Sequence, residues 1–222
     1  MFKYILFDLD DTLLDFHASE YVALKISLKK NLNFEINKEI YQEFKKINEK
    51  YFNEFANAKF SREEFHKIRF EKLLSYLNLN FDPIKLNETY MLELSLGAVL
   101  FPDVIDTLNY LKNKGYKLFI ASNGIKDIQI SRLKKANIYS YFDYIFVSSE
   151  IGVNKPNTKF FDYIFSYLND YNKVLFIMIG DREESDILGA KNSKIKSVIV
   201  GKKDKTEADY KIEKLIDLKN IL

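Results

Sequence analysis

The period of the apolar positions changes twice along the chain. Tyr4-Ile5-Leu6-Phe7 is a near-continuous apolar run that ends in the acids Asp8, Asp10 and Asp11. Residues 3–8 therefore read as a short strand buried on both faces, the pattern of a parallel sheet. From about Phe16 to Leu96 the apolar residues recur at spacings of three and four. Asn37 can cap a helix carrying Ile40, Phe44, Ile47 and Tyr51, and Ser61-Arg62-Glu63-Glu64 is a capping box ahead of Phe65, Ile68, Leu73 and Leu77. Two more helices, near 18–30 and 83–95, would complete a bundle.

From Pro102 onward the pattern alternates. Pro102 suits the first turn of a helix and Gly115 its end. Short apolar runs then follow at 116–121, 144–147, 174–179 and 197–200, with helical stretches between them. The alternation predicts an α/β fold, a Rossmann-like parallel sheet flanked by helices, that the first strand also joins. The helical region is then an all-helical insertion. The expected division is 1–15 with 97–222 as the α/β core and 16–96 as the insertion, with crossings near Asp15-Phe16 and Leu96-Gly97.

Composition narrows the picture. The chain has 222 residues, 47% of them hydrophobic, enough for one large domain or a core with a smaller appendage. Net charge is +2, with basic and acidic residues mixed and no dense basic stripe, so a nucleic-acid polymer is not an expected partner. Cysteine is absent, which excludes a disulfide framework and thiolate chemistry. With two histidines, a histidine-based zinc site is not expected. No leader pattern is visible and no apolar run reaches membrane-spanning length, so the expectation is a cytoplasmic protein without a membrane partner.

The candidate chemistry lies at the strand ends. Strand alternation puts Asp8 and Asp10 on one face, where their mutual repulsion calls for a cation or a shared proton. A hard divalent ion such as Mg²⁺ suits oxygen ligands of this kind. The second strand ends in Ser122-Asn123-Gly124, a hydroxyl, a backbone amide and a small residue that suit a phosphate. Gly152-Val153-Asn154-Lys155-Pro156-Asn157 follows the third and offers the Lys155 ammonium. The fourth leads into Gly180-Asp181-Arg182-Glu183-Glu184-Ser185-Asp186, in which Asp181 and Asp186 can reach a metal held by the first strand. Each motif alone is ordinary turn or surface chemistry. Four in order, each at the end of a strand, are not.

These motifs resemble those of the haloacid dehalogenase superfamily. Asp8-Leu9-Asp10-Asp11-Thr12-Leu13 matches its first motif, Ser122 the second, Lys155 the third, and Gly180-Asp181 with Asp186 the fourth. The insertion resembles the small helical C1-type cap. The longer matches, from Glu150 to Asn157 and from Gly180 to Gly189, are similar to the bacterial pyrimidine 5′-nucleotidases, although Arg182 stands where that subgroup commonly has Thr.

The resemblance implies a Mg²⁺-dependent hydrolase of small phosphate monoesters, nucleoside 5′-monophosphates above all, working as a monomer or homodimer. Asp8 would be the nucleophile and Asp10 the acid and base. Mg²⁺ would sit on the Asp8 carboxylate, the Asp10 backbone carbonyl, Asp181 and Asp186, and Ser122, the Asn123 amide and Lys155 would hold the phosphoryl group. Specificity would lie in the insertion, with His17, Arg62, His66 and Arg69 as candidates. Competing readings are a phosphoglycolate or sugar-phosphate phosphatase, a β-phosphoglucomutase-like mutase, and a binding module on the same scaffold, whose expected signature is loss of the acids or the lysine.

Overall fold

The computed structural model describes residues 2–222. It divides into two compact units, one of residues 1–16 with 98–222 and one of residues 17–97. In chain order the elements are β1 (Tyr4–Phe7), helices α1 (Phe16–Leu32), α2 (Lys38–Ala56), α3 (Arg62–Tyr76), α4 (Pro83–Leu94) and α5 (Val104–Asn113), then β2 (Lys117–Ser122) and α6 (Lys126–Lys135). There follow β3 (Tyr144–Val147), the single turn α7 (Ser148–Ile151), α8 (Thr158–Leu168), β4 (Phe176–Gly180), the short α9 (Leu188–Asn192), β5 (Lys196–Val200) and β6 (Tyr210–Ile212).

The six strands form one sheet in the order β3-β2-β1-β4-β5-β6, and every neighbouring pair is parallel. The central strands are buried along their length because helices cover both faces. Odd-numbered positions of β1, Ile5 and Phe7, face a cluster with Val104, Leu108, Leu111, Leu118 and Ile120. Tyr4 and Leu6 face the opposite cluster, where Phe160, Phe161, Ile164 and Phe165 of α8 pack on Phe119, Phe146, Phe176 and Met178. The chain passes from β1 to β2 on one side and reaches β4 on the other, so the strand order reverses beside β1. Open α/β sheets bind ligands at the carboxyl ends of strands around such a point.

One reading of local detail is corrected, and one strand was not read. Pro102 lies in a turn ahead of α5 rather than in its first turn, and Asp103 stands at the N-cap. The short edge strand β6 carries no sequence signal strong enough to have been read, since only Ile212 of its three residues is buried. Gly115 does end α5, at φ +84°.

The helical unit is held by aromatic packing and by caps. Asn37 Oδ1 accepts from the Ile40 N–H at 2.9 Å to start α2. Ser61 and Glu64 form the reciprocal capping box of α3, at 3.2 and 2.7 Å. Phe44, Phe70 and Tyr90 from α2, α3 and α4 make a ring cluster with centroids 5.3–5.8 Å apart. Among the described residues no helix is long and apolar enough to cross a membrane.

Candidate active site

Asp8 follows β1 directly, and its N–H donates to the Ile179 carbonyl at 2.8 Å, which extends the ladder with β4 by one residue. Its carboxylate is buried at the sheet's carboxyl edge, with Lys155 Nζ 2.8 Å from Oδ1. The same ammonium lies 2.6 Å from Asp186 Oδ1. Lys155 is 1% exposed, so its charge must be met by protein groups. Its backbone is clamped at both ends by one side chain. Asn123 Oδ1 accepts from the Lys155 N–H at 2.8 Å and Asn123 Nδ2 donates to the Lys155 carbonyl at 3.0 Å. The Lys155-Pro156 peptide is cis.

Asp186 reaches this cluster because Gly180 has no side chain. A Cβ there would lie 2.2 Å from Asp186 Oδ2. After β4 the chain takes one turn of π-helix over Glu183–Ile187, and the Arg182 N–H donates to Asp186 Oδ2 at 3.1 Å. Asp181 sits beside Thr12, whose hydroxyl is 3.4 Å from Asp181 Oδ1.

The carboxylates of Asp8, Asp181 and Asp186 each place an oxygen within 4.8 Å of the others. Three acids therefore face one ammonium. Burial raises the Asp8 pKa well above the usual carboxylate range, against the pull of Lys155 and with the push of Asp186, Asp181 and Asp10. Burial, with Asp186 and Asp11, raises Asp181 to about 7. Burial works against the Lys155 charge too, but Asp186 and Asp8 outweigh it and its pKa is raised. The cluster is thus short of positive charge, and its donors are all hard oxygens. Such a set fits a divalent cation, which would reverse the local cost of ionising the acids.

Asp10 departs from the expectation that it shares a cation with Asp8. The strand ends at Phe7, and the turn that follows, with Asp11 at φ +58°, carries the Asp10 side chain towards α6. There Arg132 Nη1 pairs with Asp10 Oδ1, and Gln129 Nε2 donates to Oδ2 at 2.9 Å. Asp8 and Asp10 therefore have separate protein cations, Lys155 for one and Arg132 for the other. The Asp10 carboxylate is not among the three that cluster, Asp8, Asp181 and Asp186. Gln129 and Arg132 were not found from sequence. Their only trace there is two polar residues three apart on the helix that follows Ser122-Asn123-Gly124, a spacing shared by many exposed helix faces.

Ser122 closes β2 with its hydroxyl accepting from the Gly124 N–H at 3.1 Å and from Gln129 Nε2 at 2.9 Å. Gly124 also makes room for a neighbouring side chain. A Cβ there would meet Gln129 Nε2 at 2.5 Å, so the close approach is that of the Gln129 side chain.

Residues 5–200 match the family model for haloacid dehalogenase-like hydrolases. The chain belongs to that family. Among curated relatives, it is 29% identical to the HAD-hydrolase YfnB of Bacillus subtilis (strain 168), covering 100% of this chain and 95% of YfnB. It is 32% identical to the pyrimidine 5′-nucleotidase PynA of Streptococcus pneumoniae (strain ATCC BAA-255 / R6), over 89% of this chain and 83% of that one. A glyceraldehyde 3-phosphate phosphatase of Methanothermobacter thermautotrophicus is 28% identical over 94% of this chain and 89% of its own. A crystal structure of YfnB, bound to magnesium, superposes with a TM-score of 0.94 over 100% of this chain and 98% of that one.

The helical unit of this hydrolase places the four remaining candidates as follows. His17 Nδ1 is 3.4 Å from Glu20 Oε2. Arg62 stacks on Phe55 with its guanidinium carbon 4.8 Å from the ring centre, and burial with the nearby Arg69 lowers its pKa to about 10. His66 is held at about 3 by burial and by Arg69 and Arg62, so it stays neutral. Arg69 is enclosed. Its Nη1 and Nη2 donate to Asn48 Oδ1 at 3.1 Å and Asn87 Oδ1 at 2.7 Å, and the rings of Phe65, Phe70 and Tyr90 surround it at 4.7–5.2 Å.

Proposed function

We propose that this chain is a Mg²⁺-dependent phosphatase that hydrolyses small phosphate monoesters through an aspartyl-phosphate on Asp8, with nucleoside 5′-monophosphates, pyrimidine ones first, as its substrates. The observation that carries the reading is the Lys155 ammonium held between Asp8 and Asp186, with Asp181 completing a buried, charge-deficient set of carboxylates. Family membership supports a hydrolysis, and the likeness to PynA supports the nucleotide.

In the first step a carboxylate oxygen of Asp8 attacks phosphorus. The bond from phosphorus to the ester oxygen breaks, and Asp10 gives that oxygen its proton. In the second step water attacks the same phosphorus, its proton passes to Asp10, and the acyl phosphate bond breaks to return Asp8 and inorganic phosphate. The Ser122 hydroxyl, the Asn123 backbone amide and Lys155 hold the equatorial oxygens, where positioning and charge compensation supply most of the catalysis. The Asn123 side chain serves the same end indirectly by fixing Lys155. Mg²⁺ on Asp8, Asp181, Asp186 and the Asp10 carbonyl would neutralise charge on the transferring phosphoryl group and keep Asp8 ionised.

A second reading, a triose-phosphate phosphatase, has support in the archaeal relative. One assay separates the two. Phosphate release is measured from UMP, dUMP, dTMP, purine monophosphates, glyceraldehyde 3-phosphate, phosphoglycolate and hexose phosphates, with Mg²⁺ and with EDTA. Metal-dependent release that favours pyrimidine monophosphates is the expected result. Preference for the triose phosphate would keep the chemistry and replace the substrate. No release from any ester would overturn the reading.

A further inference from the structure

We propose that Gln129 and Arg132 are positioning residues that hold the Asp10 carboxylate and orient the Ser122 hydroxyl as a single unit. The inference rests on the phosphatase reading and goes beyond it by assigning a function to two residues of α6 outside the four motifs.

Both oxygens of Asp10 are engaged, Oδ1 by Arg132 Nη1 and Oδ2 by Gln129 Nε2. Gln129 is itself oriented. Its Oε1 accepts from Arg132 Nη1 at 3.1 Å, which turns the Nε2 end towards Asp10 and Ser122. An amide nitrogen has two protons, and here one goes to Asp10 Oδ2 and the other to Ser122 Oγ, each at 2.9 Å.

The consequence at Ser122 follows from its lone pairs. A hydroxyl has two acceptor positions and one proton. The Gly124 N–H and the Gln129 amide fill both acceptor positions, so an incoming group can be met only by the hydroxyl proton. A phosphoryl oxygen accepts such a proton, and Gln129 thereby makes Ser122 a dedicated donor. One amide links the group that protonates the leaving oxygen to a group that holds the phosphoryl oxygens. Gln129 and Arg132 are 2% and 1% exposed, so water does not compete from their side, while the Asp10 side chain stays open to solvent at 30% exposure. An arginine buried at such cost is a weak device for stability, but a rigid one for placing a carboxylate.

A leaving-group test separates positioning from packing. The rate constant kcat/KM reports events up to departure of the alcohol. An alkyl phosphate such as UMP needs its leaving oxygen protonated, whereas p-nitrophenyl phosphate has little need of it. Loss of proton-transfer assistance should cost Arg132→Met roughly 10²-fold in kcat/KM on UMP and less than about tenfold on p-nitrophenyl phosphate. Arg132→Lys should recover part of the UMP loss. Gln129→Met should show the same selectivity and also raise KM for both esters, because Ser122 loses its orientation. Melting curves identify any variant that fails to fold, and Arg132→Lys with Gln129→Met then carry the test. Equal losses on both esters, in folded variants of an active parent, would overturn the clamp and leave the phosphatase reading standing. A parent that releases phosphate from neither ester would overturn both.

Discussion

Each unit of the molecule buries a strong cation, and the two do so to opposite ends. In the α/β unit the Lys155 ammonium faces Asp8 and Asp186, with Asp181 beside them. In the helical unit the Arg69 guanidinium is met by the carbonyl oxygens of Asn48 and Asn87 and by three aromatic rings. The nearest acid of that network, Glu20, is buried and accepts from Asn48 Nδ2 at 2.8 Å and from the Tyr41 hydroxyl at 3.1 Å. Asn48 thus links the Arg69 guanidinium to the Glu20 carboxylate, cation to anion. Three acids against one ammonium do not balance, and burial first, with the neighbouring acids adding to it, raises the pKa values of Asp8 and Asp181. Burial of charge is common to a scaffold and a reaction centre. Imbalance of buried charge marks the centre.

The largest expected effect breaks the comparison at Asp8. Asp8→Asn should reduce phosphate release by roughly 10⁴-fold or more, as removal of a covalent nucleophile does elsewhere. Because the ionised Asp8 is disfavoured where it lies, the variant should melt at the same temperature or higher. Retained turnover would sink the aspartyl-phosphate.

Arg69→Met should do the reverse. Removal of one partner from a buried ionic network leaves Glu20 uncompensated and should cost about 3–5 kcal/mol of stability. The loss should read out as a lower melting temperature, and adding Glu20→Gln should return part of it. A variant as stable as its parent would remove the distinction between the two units.

How far these regions could be read in the chain differs in the same way. The strand-end positions of Asp8, Ser122 and Asp181 were legible, because short apolar runs bounded by turns fix where a parallel strand stops, whereas Lys155 lies past the single turn α7 that follows β3. The helical caps at Asn37 and Ser61 were legible too, since a cap is a local hydrogen bond. The partners of Asp10 were not. Arg132 is 122 residues away in sequence, and nothing in the helical pattern of α6 says that its polar positions 129 and 132 are buried. Arg69 failed in the other direction. It is one of the four candidates for specificity in the insertion, and the structure encloses it with amides and rings. Long-range pairing of polar groups has no periodic trace, so sequence patterns locate elements better than they locate networks.

Gly180 sharpens the view of the acidic cluster. Gly180→Ala would drive a methyl into the Asp186 carboxylate, with an overpacking cost of about 1–3 kcal/mol. The larger consequence should be weaker Mg²⁺ binding, seen by calorimetric titration. Unchanged Mg²⁺ affinity would remove Asp186 from the ligand set.

The smallest effect is a difference in pH dependence. His66 has a pKa of about 3 when folded against an ordinary 6.5, through burial first and then Arg69 and Arg62. Between those values the unfolded chain binds the proton and the folded one does not, so the group lowers stability as pH falls through the window. Its share of the slope is at most ~1.4 kcal/mol per pH unit. Asp181 runs the other way in metal-free protein. Its folded pKa of about 7 lies above the ordinary 3.8, so the folded chain holds the extra proton and stability falls as pH rises through that window. Chemical denaturation between pH 4 and 7 in EDTA, on parent, His66→Phe and Asp181→Asn, should therefore give slopes that move in opposite senses. His66→Phe should flatten the loss towards acid, and Asp181→Asn the loss towards neutrality. If both variants shifted the slope in the same direction, the two units could not be carrying buried charge in the two ways described.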